Sequence, residues 1–190
     1  MQNAGTEKKN KLRNRLIFVI LALIKLLALV LFSKFYLNRP SRFSRGDIEL
    51  DGPYKVQKVV DGDTFYIKQD GKDVKVRLIG VDAPESVAPE YSGKENTKEG
   101  DKAAKYLKDL IDGRNVYLEY DLDTYDQYGR LLAYVYKSDQ ETMVQRLLLS
   151  EGYAAVVTYQ PNVKYADEFL KLQRQAREEG KGFWGSGYYK

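Results

Sequence analysis

The stretch YKVQKVVDGDTFYIKQDGKDVKVRLIGV, Tyr54 to Val81, decides the fold. Apolar residues alternate at period two in YKVQKVV (Tyr54 to Val60), in TFYIKQ (Thr64 to Gln69) and in KVRLIGV (Lys75 to Val81). Turn dipeptides separate the runs: Asp61-Gly62 within DGD, then Asp70-Gly71. Short alternating runs divided by Asp-Gly turns predict a three-strand antiparallel meander with one face buried.

Downstream, Ala103, Ala104, Leu107, Leu110 and Ile111 recur at helical spacing within Glu95 to Ile111, and Gly113 stops that helix. NVYLEY (Asn115 to Tyr120) and LLAYVY (Leu131 to Tyr136) read as two more strands, separated by the polar loop DLDTYDQYGR. Helices are expected from about Thr142 to Ser150 and from about Tyr165 to Glu179, each closed by a glycine, Gly152 and Gly180. Three strands, a helix, two strands and then helices is the order of an α+β chain built on a five-stranded OB-type barrel with three helices. A barrel of this kind does not itself define a function.

The chain has 190 residues, without cysteine or histidine. Disulfides, thiol nucleophiles and zinc–thiolate sites are excluded, as are the commonest general base and transition-metal ligand. Any catalysis falls to carboxylates, arginine, lysine, tyrosine or a hard metal ion. The formal charge of +4 conceals a division. The first 50 residues hold ten basic and three acidic side chains; the other 140 hold 21 and 24. The globular part is therefore not a broadly basic nucleic-acid coat, and it would handle a polyanion with a few placed cations.

Residues 1–15 form a basic tail, and LIFVILALIKLLALVLF, Leu16 to Phe32, is interrupted only by Lys25. Continued to Leu37, it is long enough for a bilayer core of roughly 30 Å. No small-x-small cleavage site follows, so residues 16–37 are expected to be an uncleaved transmembrane or signal anchor. The alternative is secretion after signal cleavage. Residues 38–51, polar and basic, read as a linker, and 52–187 as the barrel domain, with the barrel expected outside the cell.

Three motifs carry potential chemistry: DGDT (Asp61 to Thr64), RLIGVDAPE (Arg77 to Glu85) and YDQYGR (Tyr125 to Arg130). Each alone has an ordinary role as turn, strand end or loop. Together they put three acids, Asp63, Asp82 and Glu85, and two arginines, Arg77 and Arg130, at strand ends of one small barrel. Carboxylates that converge repel unless a cation joins them, and oxygen donors suit calcium or magnesium. Planar arginine forks suit phosphate oxygens. Ideal alternation sets Arg77 and Asp82, five apart, on opposite faces. An irregularity between Gly80 and Asp82 is therefore predicted.

From Tyr54 to Trp184 the chain resembles the staphylococcal nuclease (thermonuclease) family, through VVDGDTFYI, VRLIGVDAPE, DQYGRLLAYVY and GKGFWG. The resemblance implies an OB barrel and calcium-dependent cleavage of DNA and RNA, preferably single-stranded, to 3′-phosphate products by a monomer. It implies Asp63, Asp82 and the Ala83 carbonyl as calcium ligands, with Asp61 nearby. Arg77 and Arg130 are implied on the scissile phosphate and Glu85 as general base. Tyr128 and Tyr159 are implied at the nucleotide, although 16 tyrosines leave barrel packing open for both. Gln127, Val157 and Gln160 depart from the family pattern and thin out its cations and stacking surface. With two carboxylates the calcium site is expected to be weak, at about 10⁻⁴–10⁻³ M. The competing reading is a non-catalytic OB module that binds nucleic acid or protein.

Overall fold

The computed structural model describes residues 20–21, 25–27, 43–45, 48–86 and 96–190. The chain divides into two units, Met1–Arg39 and Pro40–Lys190. In the first, the described residues are helical and exposed. The remainder of the expected 16–37 span lies outside the described residues. Among the described residues no helix is long and apolar enough to cross a membrane.

The second unit holds the barrel. Strands β1 (Phe43–Arg45), β2 (Ile48–Val59), β3 (Thr64–Gln69) and β4 (Lys72–Leu78) run antiparallel in sequence. β4 then pairs in parallel with β7 (Leu131–Tyr136), and β7 pairs antiparallel with β6 (Asn115–Glu119). β6 returns to β2 and closes a five-stranded barrel, β2-β3-β4-β7-β6, of the expected OB type. Closure removes the open edges that would otherwise leave backbone groups unpaired. A separate two-stranded ladder joins β5 (Val81–Asp82) to β8 (Ala155–Val156).

Alternation fills the barrel. Val56, Phe65, Ile67, Val76, Val116, Leu118 and Val135 are buried, while intervening residues such as Lys55, Lys68 and Lys75 stay wholly or partly in water. Helix α1 (Lys98–Ile111) covers the barrel with Ala103, Leu107 and Ile111. Helices α2 (Val144–Ser150) and α3 (Ala166–Glu178) add Leu148, Leu149 and Phe169. Gln145 of α2 is fully buried and bonds the β7 backbone, accepting from Val135 N at 3.1 Å and donating to Ala133 O at 3.0 Å. A buried amide satisfied on both sides pins α2 to β7 instead of costing stability.

Two expectations are corrected. Residues 38–51 are not a linker throughout: Phe43–Arg45 pairs with Ile48–Leu50, and β2 begins at Ile48. Leu50 is buried in the core, and Asp51 accepts bonds from the Tyr54 and Tyr120 hydroxyls, both at 2.9 Å. The charges around Ile48 and Leu50 hid a short alternation. A fourth helix, α4 (Gly182–Gly185), also follows the three expected.

An irregularity is present, just ahead of the predicted Gly80–Asp82 interval and sharing Gly80 with it. β4 stops at Leu78, residues 79–80 turn, and β5 starts at Val81. Gly80 has φ +82°, a conformation natural only to glycine, and a Cβ there would lie 2.7 Å from the Phe169 ring. The turn lets Arg77 and Asp82 share one side. Gly80→Ala is therefore expected to cost about 1–2 kcal/mol from backbone conformation alone, and more from the ring contact. Urea unfolding measures this, and Phe169→Leu in the same chain should recover part of the contact loss but none of the backbone loss.

Candidate active site

A cleft of about 630 Å³ opens at the end of the barrel where β3, β4 and β5 meet the β6–β7 loop and the loop after β8. Asp61, Asp63, Arg77, Asp82, Glu85, Tyr128, Arg130 and Tyr159 all line it. Eight of the nine predicted site residues thus come together. Ala83, the ninth, does not line the cleft; it is buried behind it.

The acidic side starts at the β2–β3 turn. Val60 N and Asp61 N both donate to Thr64 O, at 2.9 and 3.3 Å, which folds DGD into a tight loop. Asp61 then accepts from Asp63 N at 3.1 Å. Burial, followed by the Asp63 charge, pushes the Asp61 carboxyl up to about 7. Asp63 itself is bound from three sides. Thr64 Oγ1 donates at 2.9 Å, Ala83 N donates at 2.9 Å, and Arg77 Nη1 lies 3.0 Å from its Oδ2.

Arg77 is the centre of this half. Its side chain is only 12% exposed. Nη1 donates to the carbonyls of Val81 (2.8 Å) and Leu78 (3.1 Å), and Nη2 pairs with Asp82 Oδ1 at 3.0 Å. One guanidinium therefore spans two carboxylates, one on the β2–β3 turn and one on β5. Glu85 follows, with its backbone oxygen held by Thr97 N at 2.9 Å. Thr97 is the N-cap of α1 and accepts from Gly100 N at 2.9 Å. Gly100 admits this close approach, since a Cβ there would collide with the Glu85 carbonyl.

The second arginine is supported differently. In the β6–β7 loop, Asp126 accepts from Tyr128 N and Arg130 N, both at 2.9 Å, and from Arg130 Nε at 2.6 Å. Burial alone would raise the Asp126 carboxyl, but these bonds and the Arg130 charge outweigh it and hold it below the usual range. The Arg130 guanidinium lies 5.5 Å from the centre of the Tyr128 ring. Tyr128 and Tyr159 are 69% and 73% exposed, so neither is barrel packing.

Sequence reasoning missed three supporting residues. Thr64 and Asp126 orient Asp63 and Arg130. Asn162, 7% exposed, accepts from Asp123 N at 2.8 Å and donates to Asp123 O at 2.7 Å, tying the two loops that carry Tyr128 and Tyr159. Only Asp126 left a legible sign: an Asp two residues before Tyr128 and four before Arg130, across a glycine, is the pattern of an Asx turn.

The donor chemistry, carboxylate oxygen with no histidine or cysteine, is the kind that suits a hard divalent ion. Asp63 and Asp82 are each paired with Arg77 at 3.0 Å. Among the described residues no three carboxylates cluster as metal ligands by themselves. Ala83 meets Asp63 through its backbone amide. In total the cleft is lined by six acids, including Asp123 and Asp126, against two arginines. Such a cleft repels a phosphate unless a further cation joins it.

Comparison with known proteins agrees with this geometry. Residues 75–186 match the family described as staphylococcal nuclease homologue, a range that holds Arg77, Asp82, Glu85, Tyr128, Arg130 and Tyr159. The chain is 37% identical over 163 residues to a thermonuclease of Staphylococcus intermedius, covering 85% of this chain and 94% of that one. It is 39% identical over 133 residues to a thermonuclease of Staphylococcus hyicus, covering 70% and 76%. It is 38% identical over 136 residues to an endonuclease of Bacillus subtilis, covering 70% and 62%. With the closed barrel, the broken β4–β5 strand and these matches in agreement, the chain belongs to the staphylococcal nuclease homologue family.

Proposed function

We propose that this chain is a calcium-dependent phosphodiesterase. It cuts DNA and RNA, preferably single-stranded, to 3′-phosphate products, and residues 16–37 anchor it with the barrel outside the cell. The observation that carries the catalytic reading is the meeting of Arg77, Arg130, Asp63, Asp82 and Glu85 in one cleft. The thermonuclease and endonuclease names of the relatives support the same chemistry.

Asp63 and Asp82 would hold the ion, which supplies positive charge that a phosphate needs in so acidic a cleft. Glu85 accepts a proton from a water molecule as that water attacks phosphorus. The bond from phosphorus to the 5′-oxygen breaks, and that oxygen leaves as an alcohol after taking a proton from solvent. Arg77 and Arg130 donate hydrogen bonds to the phosphate oxygens, whose negative charge grows in the transition state. Tyr128 and Tyr159, exposed on the cleft wall, offer flat faces to unpaired bases. A base held in a duplex does not present those faces, which favours single strands.

Heat-denatured DNA incubated with the chain is expected to be cut in millimolar calcium and left intact in excess chelator. Absence of cutting in calcium would favour a binding module instead. Arg77→Ala and Arg130→Ala should each lower kcat by about 10²–10³-fold, and Glu85→Gln should lower it with little change in KM. Wild-type rates in Glu85→Gln would remove Glu85 as the base. Protease treatment of intact cells should release the barrel if it lies outside.

Asp126→Ala is expected to lower kcat by about tenfold, since a tethered arginine loses less freedom on binding phosphate. The depressed carboxyl of Asp126 makes its tether complete above the ordinary carboxylate range and lost as pH falls through its folded value. The rate difference between wild type and Asp126→Ala should therefore persist from neutral pH down to about pH 4 and close below it. Initial rates across that range measure the window.

A further inference from the structure

Arg77 holds the Asp82 carboxylate and the Val81 carbonyl on one side, but the strand that carries them is short. β5 is two residues long and pairs with only two residues of β8, Val81 with Val156 and Asp82 with Ala155. Val157 N also donates to Gly80 O at 3.2 Å, in the turn before it. A ladder this short does not hold a backbone rigidly by itself.

A segment 107 positions further along reaches the same spot. The Tyr189 hydroxyl donates to Asp82 O at 3.3 Å. Its ring is fixed from behind. Tyr188 N and Tyr189 N both donate to Phe183 O, at 3.1 and 3.2 Å, which curls the segment back on α4. The ring centre lies 4.8 Å from that of Trp184 and 5.8 Å from that of Phe183. Phe183 is 2% exposed, meets the Tyr153 ring edge-on at 5.3 Å, and donates its amide to Gly152 O at 2.9 Å. A continuous path of packed rings and backbone bonds thus runs from the end of α2 to the Asp82 carbonyl.

We propose that Tyr189 is a positioning residue for Asp82: residues 183–190 form an aromatic clasp whose hydroxyl holds the Asp82 backbone, and so aims its carboxylate at the cation. This rests on the reading of Asp82 as a cation ligand. Tyr189 does not line the cleft, so the clasp acts through the loop, sets cation affinity and leaves Glu85 and the arginines as they are. The cost of losing it falls on calcium binding, with little effect on the chemical step once calcium saturates.

The test compares full-length wild type, Tyr189→Phe and Tyr189→Ala. Tyr189→Phe keeps the ring packing and removes only the hydroxyl. Backbone hydrogen exchange over residues 79–86 reports the loop without calcium or substrate, and residues 64–69 of β3 serve as the internal reference. Tyr189→Phe should exchange about 3- to 10-fold faster over 79–86 with β3 unchanged. Calorimetric titration with calcium alone should show a dissociation constant weaker by a similar factor. kcat at saturating calcium should stay at the wild-type value. Tyr189→Ala should exceed Tyr189→Phe in both readouts because it also loosens the rings. Unchanged exchange over 79–86 in Tyr189→Phe overturns the proposal, as does faster exchange with unaltered calcium affinity. If wild type binds no calcium while exchange still responds to Tyr189→Phe, the calcium reading of Asp82 fails and the proposed role of Tyr189 in cation binding falls with it.

Discussion

The Arg77 guanidinium lies across Asp63 and Asp82 and bonds the carbonyls of Leu78 at the end of β4 and Val81 on β5. Two carboxylates on separate segments do not approach each other in a partly buried cleft unless a positive charge stands between them. Here that charge comes from a side chain on β4, seven-eighths buried and held at four acceptors. Its reach depends on the turn at Gly80, which ends β4 and turns Asp82 back toward it. The acidic half of the cleft therefore follows from one ion-pair bridge and one backbone break.

The two arginines are built for different degrees of freedom. Arg77 is enclosed, and its Nη1 and Nη2 each hold a carboxylate. Arg130 is more exposed and is guided by a single carboxylate, Asp126, which also organises the turn beneath it. One presents a fixed charge at the floor of the cleft, the other an adjustable one at its rim beside Tyr128. The surrounding excess of acids keeps this pair from acting as a general polyanion trap, in keeping with the negative balance of the globular part.

Support for the cleft comes from far along the chain. Thr97 and Gly100 on α1 hold the Glu85 backbone, Asn162 ties two loops, and Tyr189 meets the Asp82 carbonyl. These supports use small or neutral polar groups. They do not repeat the charged motifs of the cleft, and that explains why a search for charged clusters passes over them.

The five strands and three main helices were legible because period-two and period-3.6 burial write themselves directly into residue order. Asp-Gly turns punctuate them at fixed places, and the charged site motifs lie at strand ends, where barrel closure must bring them to one rim. Even the break near Gly80 followed from strand geometry, since Arg77 and Asp82 could not otherwise share a face. What residue order could not specify were contacts that close only when the whole chain is folded. The amide of Ala83 on Asp63, the Asn162 tie and the Tyr189 clasp join segments up to 107 positions apart. Their partners are backbone atoms, which every residue carries alike. Only three-dimensional proximity selects which carbonyl or amide a given side chain will meet.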